Sequence, residues 1–201
     1  MGGGTMNIWK PVATNLVEEM AKRQVNIDLH YLFTYVDTIQ AALTTTNHSE
    51  FSSEINNWNT FQGSQELTFT ALKHAMEQVA TNAFVCIWTD EIGDDTNNAT
   101  LKAEILNLKA TTNSEIFFMA VTKQVPTSTP SPARKSRDVE ENDEDDKTKN
   151  RANLNIAHFK AKFDDIGHVM DITNDQNVIT RIIQIMKETA ICNQMSTPVL
   201  T

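Results

Sequence analysis

The chain has 201 residues, of which 40% are hydrophobic, and a formal net charge of −9 at pH 7. This length is enough for one hydrophobic core of ordinary size, or for a main domain with a docked C-terminal piece. The negative charge excludes a general affinity for nucleic acids, which are bound through lysine and arginine, and the sequence lacks the run of about 18 apolar residues that a transmembrane helix needs.

Two helices are predicted at the start of the chain. The first follows Pro11, with Asn15 and Glu18 placed as a capping box and an apolar face of Leu16, Val17 and Met20. The second begins at about Asp28, because five apolar residues then alternate at spacings of three and four, namely Leu29, Leu32, Val36, Ile39 and Leu43. Such a stripe is typical of one face of an amphipathic helix.

Two further helices are predicted before residue 80. Ser49 can cap a short helix that carries Phe51, Ile55 and Trp58 on one side. After a turn at Gly63, Ser64 can cap a longer helix, whose apolar residues at helical spacing are Leu72, Ala75, Met76 and Val79.

Two apolar runs, Ala83–Trp88 and Ile116–Val121, are compatible with either a helix or a buried strand. We favour a buried helix for the first run, because no alternating partner strand is evident nearby. The type of the second run stays open. Between them, the spacing of Leu101, Ile105 and Leu108 predicts a helix that ends at the polar residues 111–114.

Residues 125–152 are rich in proline and charge, and they hold three of the five prolines of the chain. A basic block of Arg134, Lys135 and Arg137 precedes an acidic run, and a second basic block follows. This composition cannot build a core, so the segment is predicted to be a linker. Its acidic residues are predicted to make partner or assembly contacts through Glu140, Glu141, Asp143, Glu144, Asp145 and Asp146.

Two helices are predicted after the linker. The first carries a stripe over about two heptads, formed by Ile156, Phe159, Phe163, Ile166 and Met170. The last begins at a capping box of Thr173 and Gln176 and ends near Asn193. Its apolar face consists of Ile179, Ile182, Ile183, Met186 and Ala190.

These elements predict an all-α protein, a bundle of about six to seven helices with the long charged linker before the last two. The expected division is an N-terminal tail at 1–10, a helical core at 11–124 and the linker at 125–152. Part of the tail is expected to precede a natural start at Met6. A C-terminal helical pair at 153–195 packs on the core, and a tail of 196–201 follows.

The sequence predicts no enzyme and no cofactor or metal site. It lacks the hydrolase motif G-x-S-x-G, and its glycines beyond residue 4 are isolated rather than grouped in a phosphate-binding loop. Asp165, His168 and Asp171 would share one helical face, but a histidine at the core boundary beside solvated acids is the simpler interpretation. Cys86 and Cys192 lie in apolar patterns and are expected to be reduced core residues.

A local contact with single-stranded nucleic acid, independent of base sequence, is a further hypothesis. The linker offers Arg134, Lys135 and Arg137, and the polar side of the following helix offers Lys160 and Lys162. These five side chains would neutralise phosphates, because no base-reading motif accompanies them.

The function that these features favour is a non-enzymatic structural or assembly subunit of the coat, capsid or scaffold type. Its apolar stripes and charged loops would face copies of itself in an oligomer or filament. Phe61, Gln62 and Gln65 ahead of a helix resemble a short pattern of rod-shaped plant virus coat proteins, although Glu66 and Leu67 stand where that family carries an arginine.

The alternative is a monomeric adaptor or regulator that binds a protein partner through the charged linker. Residues 1–10 contain no apolar stretch of the kind found in signal peptides. We therefore expect a cytoplasmic location, or one within a virion or assembly, and no membrane contact.

Overall fold

The computed structural model describes residues 3–23, 25, 30–35, 38–58, 65–79, 81–122 and 155–189. Within these ranges the helices are α1 Gly3–Lys22, α2 His48–Asn57, α3 Thr68–Gln78, α4 Ala99–Thr112, α5 Ile156–Phe163 and α6 Val178–Glu188. The strands are β1 His30–Tyr35, β2 Ile39–Thr45, β3 Phe84–Thr89, β4 Glu115–Ala120 and β5 His168–Asp171. The protein is therefore mixed α/β, and the predicted all-α bundle is wrong.

Three strands form a parallel sheet in the order β3-β4-β5, with Cys86 opposite Phe117 and Met119 opposite Met170. Helix α4 connects β3 to β4, as a parallel crossover requires. Because the strands are parallel, their carboxyl ends meet along one edge of the sheet, which we call the carboxyl edge.

Both faces of this sheet are covered. On one face, Phe117 and Met119 of β4 belong to a core cluster with residues of α1 and α6. On the other face, Ile116 and Phe118 belong to a second cluster with residues of α3, α4 and α5. A strand buried on both faces is apolar at every position and does not alternate. The apolar run Ala83–Trp88 was therefore compatible with a buried helix. The predicted buried helix is wrong, because β3 occupies Phe84–Thr89.

The predicted helix from about Asp28 is also wrong, because β1 and β2 form an antiparallel hairpin there. The strands are in register from His30–Thr45 to Tyr35–Ile39, with an irregularity between Leu32 and Phe33. Leu32, Ile39 and Leu43 happen to fall at helical spacing. The run His30–Tyr35 is nevertheless rich in aromatic and β-branched residues, which favour a strand.

The helix predicted over Ile156–Met170 ends at Phe163, and β5 begins at His168. Gly167 lies so close to β4 that a Cβ atom at this position would be 2.4 Å from the Ile116 carbonyl oxygen. A side chain would not fit there. Ile166 and Met170 are buried as predicted, but they lie beyond the helix.

The other predicted helices are present with changed boundaries. Pro11 lies inside α1 rather than before it. Asn47, not Ser49, caps α2, since its side chain accepts hydrogen bonds from the N–H groups of Ser49 and Glu50. Helix α6 begins after Asn177, without a side-chain cap, so the capping box predicted at residues 173–176 does not form. None of the described helices is long and apolar enough to cross a membrane.

Candidate interaction site at the carboxyl edge of the sheet

Open α/β sheets bind their ligands in the crevices outside the carboxyl ends of the strands. Here the carboxyl edge is formed by three segments that follow the strands. These are residues 90–98 after β3, residues 121–122 after β4 and residues 172–177 after β5.

The segment after β3 is fixed by Asp95, which caps helix α3 from a distance in sequence. The N-cap residue of α3, Leu67, offers no side-chain hydrogen bond. Instead, Asp95 Oδ1 accepts from the Phe69 N–H at 3.0 Å, and Oδ2 accepts from the N–H and hydroxyl of Thr70 at 2.7 and 2.8 Å. A carboxylate at this position also interacts favourably with the helix dipole.

Asp94 and Gly93 attach the same segment to the chain ahead of α3. Asp94 Oδ2 accepts from the Glu66 N–H at 3.0 Å, and the Asp94 N–H donates to the Glu66 carbonyl at 2.7 Å. Gly93 lies against Thr68, where a Cβ atom would be 2.3 Å from Oγ1. The loop therefore has a defined conformation, and its acidic side chains hold fixed positions.

Glu66 is a buried carboxyl group behind this loop, with 8% of its surface exposed. Its Oε2 lies 3.3 Å from the Thr89 hydroxyl at the end of β3. Burial, together with the charges of Glu91 and Asp90, raises the pKa of Glu66 to about 8. The buried Glu66 carboxyl group therefore binds a proton more readily than an exposed glutamate does.

Tyr35 of the β1–β2 hairpin also reaches the carboxyl end of β3. Its hydroxyl donates to the carbonyl of Trp88 at 3.5 Å, near the carboxyl end of β3. Burial, with a smaller contribution from the charge of Glu66, raises the pKa of Tyr35. The phenol thus stays neutral and links the hairpin to the sheet.

The segments after β4 and β5 are joined by Asp171. Its Oδ1 accepts from the Thr122 hydroxyl at 2.8 Å and from the N–H groups of Thr173 and Asn174 at 3.0 and 3.1 Å. The Asn174 side-chain amide donates to the Thr122 hydroxyl oxygen at 2.8 Å. Like the first loop, this one is fixed by hydrogen bonds to an aspartate.

The carboxyl edge is acidic. Residues 90–98, 121–122 and 171–177 contain no lysine or arginine. At the margins of the edge, Arg181 pairs with Asp175, and Lys162 contacts the Asn97 side chain. The acidic residues of the edge are Asp90, Glu91, Asp94, Asp95, Asp171 and Asp175.

A comparison with protein families identifies the fold. The model of the von Willebrand factor A domain matches residues 3–158, which is more than half of the chain. This chain belongs to the von Willebrand factor A domain family. Comparison with curated proteins found no match, and neither did comparison with solved structures.

Membership in the von Willebrand factor A domain family corrects the predicted function. It supports an α/β protein-interaction domain and contradicts a coat, capsid or virion subunit. The earlier prediction assumed that the apolar stripes need burial against other copies. In the structure, Phe159 and Phe163 of the clearest C-terminal stripe are already fully buried within one chain.

The structure places two of the basic residues predicted to contact nucleic acid, both on α5 of this von Willebrand factor A domain. Lys160 is exposed, and Lys162 lines an open cleft of about 420 Å³ between α5 and residues 92–97. Arg134, Lys135 and Arg137 lie outside the described residues. So do the predicted assembly residues Glu140, Glu141, Asp143, Glu144, Asp145 and Asp146, and the linker as a whole.

Sequence reasoning missed the acidic edge of the von Willebrand factor A domain. The signal was present in the run Thr89–Asp95, where acidic residues directly follow an apolar stretch. Reading that stretch as a strand would have placed these carboxylates at its carboxyl end.

Within the described residues, no three His, Cys, Asp or Glu side chains are grouped so that they could hold a metal ion. Asp165, His168 and Asp171 do not share a helix, because the last two lie on β5. His168 Nε2 instead lies 3.3 Å from Glu115 Oε2.

Cys86 is free and half-buried, and burial raises the pKa of its thiol to about 12, which favours the inert thiol over the thiolate. Cys192 lies outside the described residues.

Proposed function

We propose that this protein is a non-enzymatic interaction domain that binds a basic segment of a partner protein at the carboxyl edge of its parallel sheet. The observation that carries the proposal is the charge of this edge. Its acidic side chains come from two loops that are far apart in sequence, and no lysine or arginine lies within those loops.

The fixed positions of the carboxylates support binding rather than catalysis. Asp94, Asp95 and Asp171 each accept hydrogen bonds from backbone N–H groups, so they shape the loops. Asp90 and Glu91 lie beside them and are partly exposed. A preformed acidic surface lowers the cost of binding and speeds the encounter with a cationic partner.

The partner type follows from complementarity. A segment rich in lysine or arginine is attracted to this edge, whereas the phosphates of a nucleic acid are repelled by it. Three further hypotheses do not depend on this site. They are a nucleic-acid contact of Lys160 and Lys162, self-association into oligomers, and an intracellular location.

The proposal predicts that a fluorescein-labelled peptide rich in lysine and arginine binds the protein and that added salt weakens the binding. Changing Asp90→Asn together with Glu91→Gln should reduce the affinity about 5- to 30-fold, since each neutralised carboxylate removes roughly 0.5–1 kcal/mol of attraction. Fluorescence anisotropy at low and moderate salt measures both effects.

The matched control removes two carboxylates from another surface, Glu77→Gln with Glu104→Gln. Both side chains pair with Lys73 on the face of α3 and α4. This control should bind like the wild type. Equal losses in the two double variants would mean that net charge, not the carboxyl edge, attracts the peptide, and an absence of binding by the wild type would overturn the proposal.

A further inference from the structure

A pair of histidines joins the β1–β2 hairpin to helix α2. His30 is the first residue of β1 and has 6% of its surface exposed. Its Nε2 lies 2.9 Å from Nδ1 of His48, the first residue of α2. The His30 ring also stacks on Phe51 of α2, with 4.5 Å between the ring centroids.

The hydrogen bond between the two rings limits how many protons the pair can hold. One proton lies between the two nitrogens, donated by one ring and accepted by the other. A first added proton can go to an outer ring nitrogen and leaves this hydrogen bond intact. A second added proton would place N–H groups on both inner nitrogens, which cannot remain 2.9 Å apart.

We propose that the His30–His48 pair is an acid-sensitive latch, which holds the hairpin on α2 near neutral pH and releases it when both imidazoles are protonated. This inference is independent of the function proposed for the carboxyl edge.

The burial of His30 disfavours its charged form. Across the hairpin from His30 lies Thr45, whose hydroxyl donates to the Glu50 carboxylate of α2. Among the residues that the structure describes, this carboxylate is an acidic group of α2 near the pair, and it is already bound to Thr45.

The direction of the pH effect follows from His30. Burial, and then the charge of His48, lowers the pKa of His30 from 6.5 to about 4 in the folded protein. An opened hairpin exposes His30 to water, where it binds a proton at its ordinary pKa. Between about pH 6.5 and 4 the open form therefore binds more protons than the closed form, and the latch weakens as the pH falls.

Hydrogen exchange measured by NMR at several pH values tests the latch. Relative to intrinsic exchange rates, protection of the β1 and β2 amides should fall about 30-fold between pH 7.5 and 5. Protection of the amides of β4 in the core should fall much less. The Cε1–H resonance of His30 should titrate below pH 5.

Three variants separate the latch from general acid sensitivity. His30→Gln should remove most of the pH dependence of hairpin protection. His48→Gln should make this pH dependence shallower, because only the effect of burial on the pKa of His30 remains. The control is His74→Gln, which removes the histidine that packs edge-on against Phe33 of the same hairpin. It should behave like the wild type.

His48 is only partly buried, so its replacement tests the latch even where the His30 variant does not fold. Titration of the His30 ring near pH 6.5 would overturn the proposal. So would unchanged pH dependence in both pair variants.

Discussion

Replacing Phe163 with alanine lowers the free energy of unfolding by about 3–5 kcal/mol. Phe163 is fully buried, and its ring is stacked on Phe118 of β4, with centroids 4.2 Å apart. It also packs edge-on against Phe69 of α3, at 6.1 Å. Removing this ring leaves a cavity between α3, α5 and the sheet, and urea denaturation measures the loss.

The control for this substitution is Leu106→Ala on α4, where 37% of the residue surface is exposed. Its cost should stay below about 1 kcal/mol, because this side chain lies at the surface and its truncation leaves no enclosed cavity. A Phe163 variant with the wild-type denaturation midpoint would show that the second core cluster is not formed as described.

Replacing Gly93 with alanine should cost about 2–3 kcal/mol and also weaken peptide binding at the carboxyl edge. The added Cβ atom would be 2.7 Å from the Glu66 carbonyl oxygen and 2.7 Å from Thr68 Cβ. Because backbone has to move to relieve this overlap, the loop shifts and Asp94 and Asp95 lose their hydrogen bonds. Denaturation and fluorescence anisotropy report the two effects.

Asn97→Ala is the matched control in the same loop, since Asn97 is exposed and its side chain contacts Lys162. It should change stability by less than about 0.5–1 kcal/mol. If Gly93→Ala were as mild as this control, the close packing of the loop on the start of α3 would be contradicted.

The helices with one apolar stripe were the predictable part of this fold. The spacing of Leu101, Ile105 and Leu108 correctly indicated α4. Phe159 and Phe163 were correctly expected in the core. In each case the signal is local, because one helical face carries all of it.

The parallel sheet could not be recognised in the same way. Both strands are covered on both faces and are apolar at nearly every position. Phe84–Thr89, whose side chains alternate between partial and full burial, and Glu115–Ala120 therefore gave no periodic signal in the sequence. Their pairing depends on contacts about 30 residues apart in sequence. The hairpin was mistaken for a helix because Leu32, Ile39 and Leu43 fall at helical spacing by coincidence.

The candidate site depends on the sheet, so it was hidden for the same reason. Asp95 caps a helix that begins 27 residues earlier in the chain, at Thr68. No local spacing rule predicts such a contact. Once β3 and β5 are known to be parallel neighbours of β4, the acidic residues after Thr89 and at Asp171 fall on one edge.

Mapping the bound peptide on the protein by NMR tests the central claim most directly. Titration of the basic peptide into 15N-labelled protein should shift the amide resonances of residues 90–98, 121–122 and 171–177. Amides of α1 and of the β1–β2 hairpin should change little. Shifts concentrated on those elements, or spread evenly over the surface, would contradict an interaction site at the carboxyl edge.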